Sequence, residues 1–355
     1  MYSPGMWLLA LIPVISVMFL SIAEAAWPVQ SFKSSPFHPP VLEVSKTGQT
    51  EPGYIFGGPA DIKSDTRPTI VADDGQLIWK GGLGQFPSKF CHVFDTGLSY
   101  LDLHEAVITP HGSVLVTAFN TTRGDLSVLG GSADGRLLDS LFYEIDIASK
   151  EILFRWSVLE HLDRTNSYIP LAAKGDSQES PWDFAHLNSV QMDGDRYIVT
   201  VHGFCSEYII DRNGRAGTVG DFTLGPGAQF CWQHDARIES RTENTITLRM
   251  HNNDNAPWAS GTAVTTGLLL DVDLDTKAVS VRRRIWDSQN AIYSPSQGSY
   301  QSPRNGHVLL GHGTIPQLEE YDEHGQVVMR ARFGQDGVMM SYPMFRSPWI
   351  GRPRT

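Results

Sequence analysis

Cysteine is scarce in this chain. The three present, Cys91, Cys205 and Cys231, cannot form a closed disulfide framework, because one must be left over. Cys205 and Cys231 flank one strand pair, so two readings stand: a bridge between them, or three buried free thiols. No C-x-x-C, H-E-x-x-H or EF-hand spacing occurs, which removes the usual metal signatures; neither a metal nor another cofactor is expected. No run of lysine or arginine is longer than Arg282-Arg283-Arg284, and the formal net charge is −11. Without a basic face to replace phosphate counterions, nucleic acid is excluded as a partner. Helical periodicity is weak throughout, with at best a turn near residues 158–162.

Long apolar runs are also missing once the first 26 residues are set aside, so no later segment is expected to cross a membrane. Residues 7–22 carry no charge, and Ala23-Glu24-Ala25 supplies the small-x-small pattern of a cleavage site. We read residues 1–25 as a secretory signal peptide, cut before Ala26, which makes the mature protein secreted. The alternative is a signal anchor. With 41% hydrophobic and 19% charged residues the remainder can bury a large core.

What is present is a repeat. Four segments open on a histidine or glutamine, turn through polar residues and run back as a β-rich stretch. They begin at His104 (HEAVITPHGSVLVTAFN), His186 (HLNSVQMDGDRYIVTVH), His234 (HDARIESRTENTITLRMH) and Gln301 (QSPRNGHVLLGH). As β-hairpins, they bring each opening residue and its closing partner (Asn120, His202, His251, His312) to the free ends of an antiparallel pair. A second unit has the form apolar, Asp, polar turn, alternating strand. It recurs at 71–79, 143–156, 208–222, 269–286 and 319–333. Turn chemistry with β-branched flanks makes these outer hairpins. Inner plus outer hairpins give four-stranded blades around a central channel, an all-β propeller whose histidine rims face one another. Residues 27–70 are expected to lend a strand to the last blade, since a closed ring removes edge strands.

The ordered motifs DLHEAVITPHGSVLVTA (102–118), DSLFYEIDIASKEILFRWSVLEH (139–161), DFAHLNSV (183–190), QHDAR (233–237), GSYQ with NGHVLLGHG (298–313) and EYDEHG (320–325) resemble the fungal branch of the arylsulfotransferase-like family. The resemblance implies a six-bladed β-propeller that is secreted and holds a small aromatic or phenolic substrate in its channel. The resemblance runs from about Tyr54 to Phe333; we read residues 26–335 as the propeller and 336–355 as a Pro/Arg-rich tail, expected to be disordered. Bacterial relatives move sulfate between phenols through a sulfated histidine, supported by other histidines and an arginine. His186 and His234 match the supporting histidines. The nucleophile position reads Pro316 in GHGTIP, and the arginine expected after QHDAR falls in HNNDNAP (251–257), which has none. His312 is the nearest substitute nucleophile.

The candidate site is therefore His186, His234 and His312 for catalysis, with His104, His202, His251, Trp232 and Gln301 lining the substrate. Asp183 and Asp235, beside the paired histidines, read as blade-to-blade hydrogen-bond partners. Trp182, Trp232 and Trp258 flank the same motifs and suit a flat ligand. Asn120-Thr121-Thr122 is the one N-glycosylation sequon. Losing the nucleophile and the arginine points first to a cofactor-free enzyme of secondary metabolism. It would close a ring in a phenolic polyketide or meroterpenoid by orientation and hydrogen bonding. Secreted fungal propellers of the hetero-Diels-Alderase type are the analogy. Arylsulfotransfer through a histidine and a non-catalytic binding propeller are the alternatives.

Overall fold

Alternating β-branched and aromatic residues interrupted by Asp-Gly and Asn-Gly turns leave little but antiparallel sheet. A computed structural model of the protein describes residues 27–31, 38–61, 68–81, 101–217, 220–259 and 263–348. The signal segment 1–25, its cleavage point and Cys91 lie outside the described residues. Among the described residues the α-helical content is one turn, Val158–His161, capped where the Ser157 hydroxyl accepts the Glu160 N–H at 3.2 Å.

The first blade is Leu101–Ile108, Ser113–Gly124, Gly135–Asp146 and Ile152–Ser157, each strand paired antiparallel with the next. The second has Leu187–Asp193, Arg196–Val201 and Ser206–Ile210. The third has His234–Arg241, Thr245–Asn252, Thr266–Asp273 and Ala278–Ile285, with Thr223–Leu224 added in parallel outside. Ser299–Gln301, Val308–Gly311, Gln317–Tyr321 and Val327–Arg332 make the fourth, and Glu43–Lys46 completes its outer edge. The N-terminal segment thus supplies the expected strand. The fifth blade joins both ends of the chain: Phe345–Ser347 pairs with Tyr54–Gly57, followed by Thr69–Val71 and Leu77–Lys80.

Two expectations are corrected here. Five sheets of three to five strands are present among the described residues, not six blades of four. The number six came with the family resemblance; the chain's own outer hairpins number five, and each begins in one of these sheets. Blade number follows the supply of strand units. Residues 336–355 are not simply a tail, either. Met339–Met340 pairs with Ala60–Asp61, and Phe345–Ser347 is the edge strand that closes the fifth blade. Closure rewards this ordering by removing an unpaired edge. It also buries Arg346, which donates to Glu320 Oε2 at 2.9 Å and to Asp73.

Blades pack face to face, so their middle strands bury both sides and lose polar–apolar alternation. Gln317–Tyr321 is buried at every position, and Ser113 to Ala118 likewise. Phe142, Trp156, Tyr197 and Val199 fill the space between the first and second blades. Ile198, Ile246, Leu248, Leu268 and Leu270 fill the next. Burying each such side chain stabilises the fold by roughly 1.5–3 kcal/mol.

Candidate active site

Three of the four inner hairpins, those opening at His104, His186 and His234, bring their opening residues to one cluster of rings, and bulges lie beside them. Register shifts occur between Leu101 and Ala106, Leu187 and Ser189, and His234 and Arg237. Non-glycine residues with left-handed φ concentrate here: His186 at 51°, Cys205 at 49°, Trp232 at 56°, Asp235 at 52° and Gln297 at 61°. Such conformations cost of order 1–3 kcal/mol each and persist where surrounding contacts dictate the geometry. Cys205 and Cys231 are joined by a disulfide that ties the second blade to the loop carrying Trp232.

His104 and His186 face one another across the first two blades. Their Nε2 atoms are 3.3 Å apart and the rings are nearly perpendicular, with centroids 4.8 Å apart. Each turns its Nδ1 to a carboxylate: His104 to Asp102, and His186 to Asp183 Oδ2 at 2.6 Å. Asp102 also accepts the Thr117 hydroxyl at 3.2 Å. With both Nδ1 atoms turned to carboxylates, a hydrogen bond between the two Nε2 atoms needs a proton on one of them. Burial opposes protonation of His186, but the adjacent Asp183 and the more distant Asp102 outweigh it and hold its pKa above the ordinary value. His186 is the more accessible ring, 25% exposed against 12% for His104. Phe119 lies 5.4 Å from His186, and Tyr342 lies 5.6 Å from His104.

Next around the channel comes His202, 5.4 Å from His186 and 4.8 Å from His234 by ring centroids. Trp232 packs on it at 5.3 Å, and Trp258 stands edge-on to Trp232 at 5.5 Å. Trp182 is buried core, its indole N–H donated to Ile169 O at 3.2 Å. Burial drives the pKa of His202 and His234 well below the usual value, assisted by neighbouring imidazoles, and that of His251 down to about 3. These three rings are neutral at pH 7.

Hydrogen-bond accounting separates the remaining candidates from the pair. Asn253 Nδ2 donates to Ser294 O at 3.1 Å and Gln297 O at 2.9 Å, which fixes its Oδ1 as acceptor toward His234 Nδ1 at 2.8 Å and His251 Nδ1 at 3.3 Å. His234 Nε2 accepts the Gln297 N–H at 3.1 Å, so both its nitrogens are engaged. His251 Nε2 must then accept from His312 Nδ1 at 3.4 Å, and His312 Nε2 points to Glu319 Oε2 at 3.3 Å. Both nitrogens of His312 therefore have protein partners, and the ring is buried. Gln301 leaves the cluster altogether: it donates to Arg346 O at 2.7 Å and accepts the Arg346 N–H at 2.6 Å. Asn120 is exposed on Ser113–Gly124, paired with Asp139 and away from the histidines.

Asp235 does link blades, accepting the Tyr300 N–H at 2.9 Å, whereas Asp183 serves His186 instead. The cation nearest the motifs is Arg237 of QHDAR. It is neutralised by Glu105 at 2.6 Å and Asp235 at 3.0 Å, and Glu105 also accepts the Val190 N–H at 3.2 Å. Asp102, Phe119, Asn253 and Gln297 were not singled out from the sequence. Asp102 had a readable signal, an acid two residues before a candidate histidine. Tyr342 had none, because it sits in the segment read as tail. No group of three or more metal-ligating side chains is assembled among the described residues.

Two facing carboxylate–imidazole pairs have the groups that group-transfer or acid–base chemistry needs. The Arylsulfotransferase (ASST) family model matches residues 68–334, and the chain belongs to that family. A search of curated proteins finds no match. Among solved structures, a protein of unknown function from Bacteroides caccae shares 11% identity over 82% of this chain and 98% of its own, with a TM-score of 0.44. Apo AztD from Citrobacter koseri shares 9% identity over 85% and 100%, with a TM-score of 0.31. Likenesses this distant carry no argument.

Proposed function

We propose that this protein transfers a sulfuryl group between phenols, with His186 as the residue that carries it. The observation that supports this reading is the pair of opposed imidazoles, each backed by a carboxylate, on the accessible side of the channel. Neutral His186 Nε2 attacks the sulfur of an aryl sulfate, and the S–O bond to the aryl group breaks. The proton on His104 Nε2 passes to the departing phenolate oxygen. In the second half the acceptor phenol gives its proton back to His104, its oxygen attacks sulfur, and the N–S bond to His186 breaks. Asp183 keeps the His186 Nδ1–H in place and stabilises positive charge on the ring during attack; Asp102 does the same for His104. Phe119 and Tyr342 flank the pair as walls for an aromatic ring.

This departs from two sequence expectations. Ring closure of a polyketide draws no support from the family match, which favours the sulfuryl-transfer alternative. The nucleophile moves from His312, whose nitrogens are both committed, to His186. The test is 4-nitrophenyl sulfate with a simple phenol as acceptor. The expected result is nitrophenolate release, abolished in His186→Ala, and a sulfuryl adduct on the peptide containing His186 when acceptor is withheld. Full turnover by folded His186→Ala would overturn the assignment, and no turnover by folded native protein would overturn the activity.

A further inference from the structure

On the opposite side of the third blade's strand end lies a cavity that the histidines do not use. Strand alternation sends His251 and Asn253 toward the channel, and Asn252 with its cross-strand partner Thr266 away from it. There a cavity of about 190 Å³ is lined by Asp254, Val264, Thr266, Arg284 and Trp286. It is smaller than the roughly 300 Å³ at which drug-sized sites begin, a size for a small metabolite.

Its polar lining is incomplete without a ligand. Thr266 is 5% exposed, yet its hydroxyl has no hydrogen-bond partner, and beside it the Asn252 Nδ2, on a residue 1% exposed, has none either. Buried polar groups are ordinarily satisfied, and one left without a partner is costly. Asp254 sits at the rim with a left-handed φ of 51°, held by its N–H to Cys231 O at 2.9 Å. Arg284 is anchored through Nη2 to Gly227 O at 3.0 Å and Gln229 O at 3.5 Å, which fixes its guanidinium at the cavity. Trp286, 41% exposed, supplies an apolar wall. One cation, one anion, an unused hydroxyl and an aromatic face form the complement of a zwitterion with an apolar side chain.

We infer that this cavity binds a small α-amino acid, its carboxylate on Arg284 and Thr266, its ammonium on Asp254 and its side chain on Trp286. It is separate from the proposed sulfuryl-transfer site and stands whether or not that reading does. The test is calorimetric titration of the full chain with L-phenylalanine, L-phenylalaninamide, 3-phenylpropionate and D-glucose. Saturable binding of L-phenylalanine is expected, at least about tenfold tighter than of the amide or the deaminated acid. Arg284→Gln and Asp254→Asn, both changes at exposed side chains, should each weaken it about tenfold with unchanged melting temperature. Equal binding of all three phenyl compounds would overturn the zwitterion assignment in favour of a merely apolar cavity. Binding of glucose in their place would overturn the ligand class, and no binding by any probe would overturn the site.

Discussion

Neighbouring imidazoles in this channel differ in proton affinity, and the causes are burial and the partner at each nitrogen. His186 faces a carboxylate and is pulled up; His202, His234 and His251 face neutral groups in a buried setting and are pushed down. Asp183→Asn should therefore lower kcat/KM for aryl sulfate roughly 10²–10⁴-fold, the usual scale for a positioned acid–base partner. It should also move the acidic limb of the pH–rate profile to lower pH, because His186 must lose its proton before it attacks. A profile unmoved by the substitution would show that Asp183 only fills space. A separate half-buried acid, Glu207, accepts from the Thr200 hydroxyl at 2.9 Å and Gln233 Nε2 at 3.1 Å, and desolvation raises its pKa from 4.5 to about 7. The folded state thus binds this proton more tightly than the unfolded chain. The resulting stability is complete below pH 4.5 and is lost as pH rises through about 7. Glu207→Gln should gain about 1–3 kcal/mol relative to the native protein between pH 5 and pH 8. Urea midpoints at the two pH values measure this, and equal changes at both would refute it.

At the scale of the element, the strand ends decide what the rings can do. Gly298 opens the inner strand of the fourth blade with φ of 123°, and a Cβ there would lie 2.3 Å from His251 Nδ1. Only glycine lets the backbone come that close to the imidazole. Gly298→Ala should displace His251, break its shared acceptor at Asn253 and cost about 1–3 kcal/mol, the scale of an overpacked core position. Thermal unfolding together with the His251 imidazole resonances would show it; an unshifted His251 signal would exclude the mechanism. The hairpins themselves were legible because turn chemistry and β-branched flanks are local properties. Their bulges were not, since a one-residue shift depends on what the neighbouring blade presents.

For the whole molecule, closure is carried by a segment that reads as a tail. Arg346 is buried between Glu320 and Asp73, and Glu320 also receives His307 Nδ1 at 2.8 Å. Removing one member of a buried ion pair leaves an uncompensated charge, so Arg346→Ala should cost about 3–5 kcal/mol. The native protein and the variant, compared by chemical denaturation, would decide this, and a loss under about 1 kcal/mol would mean the ring closes without the pair. The same segment brings Tyr342 to the channel, 6.1 Å from His234. A closure mutant is thus expected to lose activity along with stability.

The sequence by itself determined the all-β class, the four inner and five outer hairpins, and the placing of His104, His186, His202 and His234 at one rim. Those follow from local turn signals and a period of two. Tertiary structure alone decided the seating of Phe345–Ser347 beside Tyr54–Gly57 and the division of the histidines into a more accessible pair and buried neighbours. Strand pairing between chain ends and the partner at each ring nitrogen are contacts between residues far apart in sequence, and no local pattern encodes them.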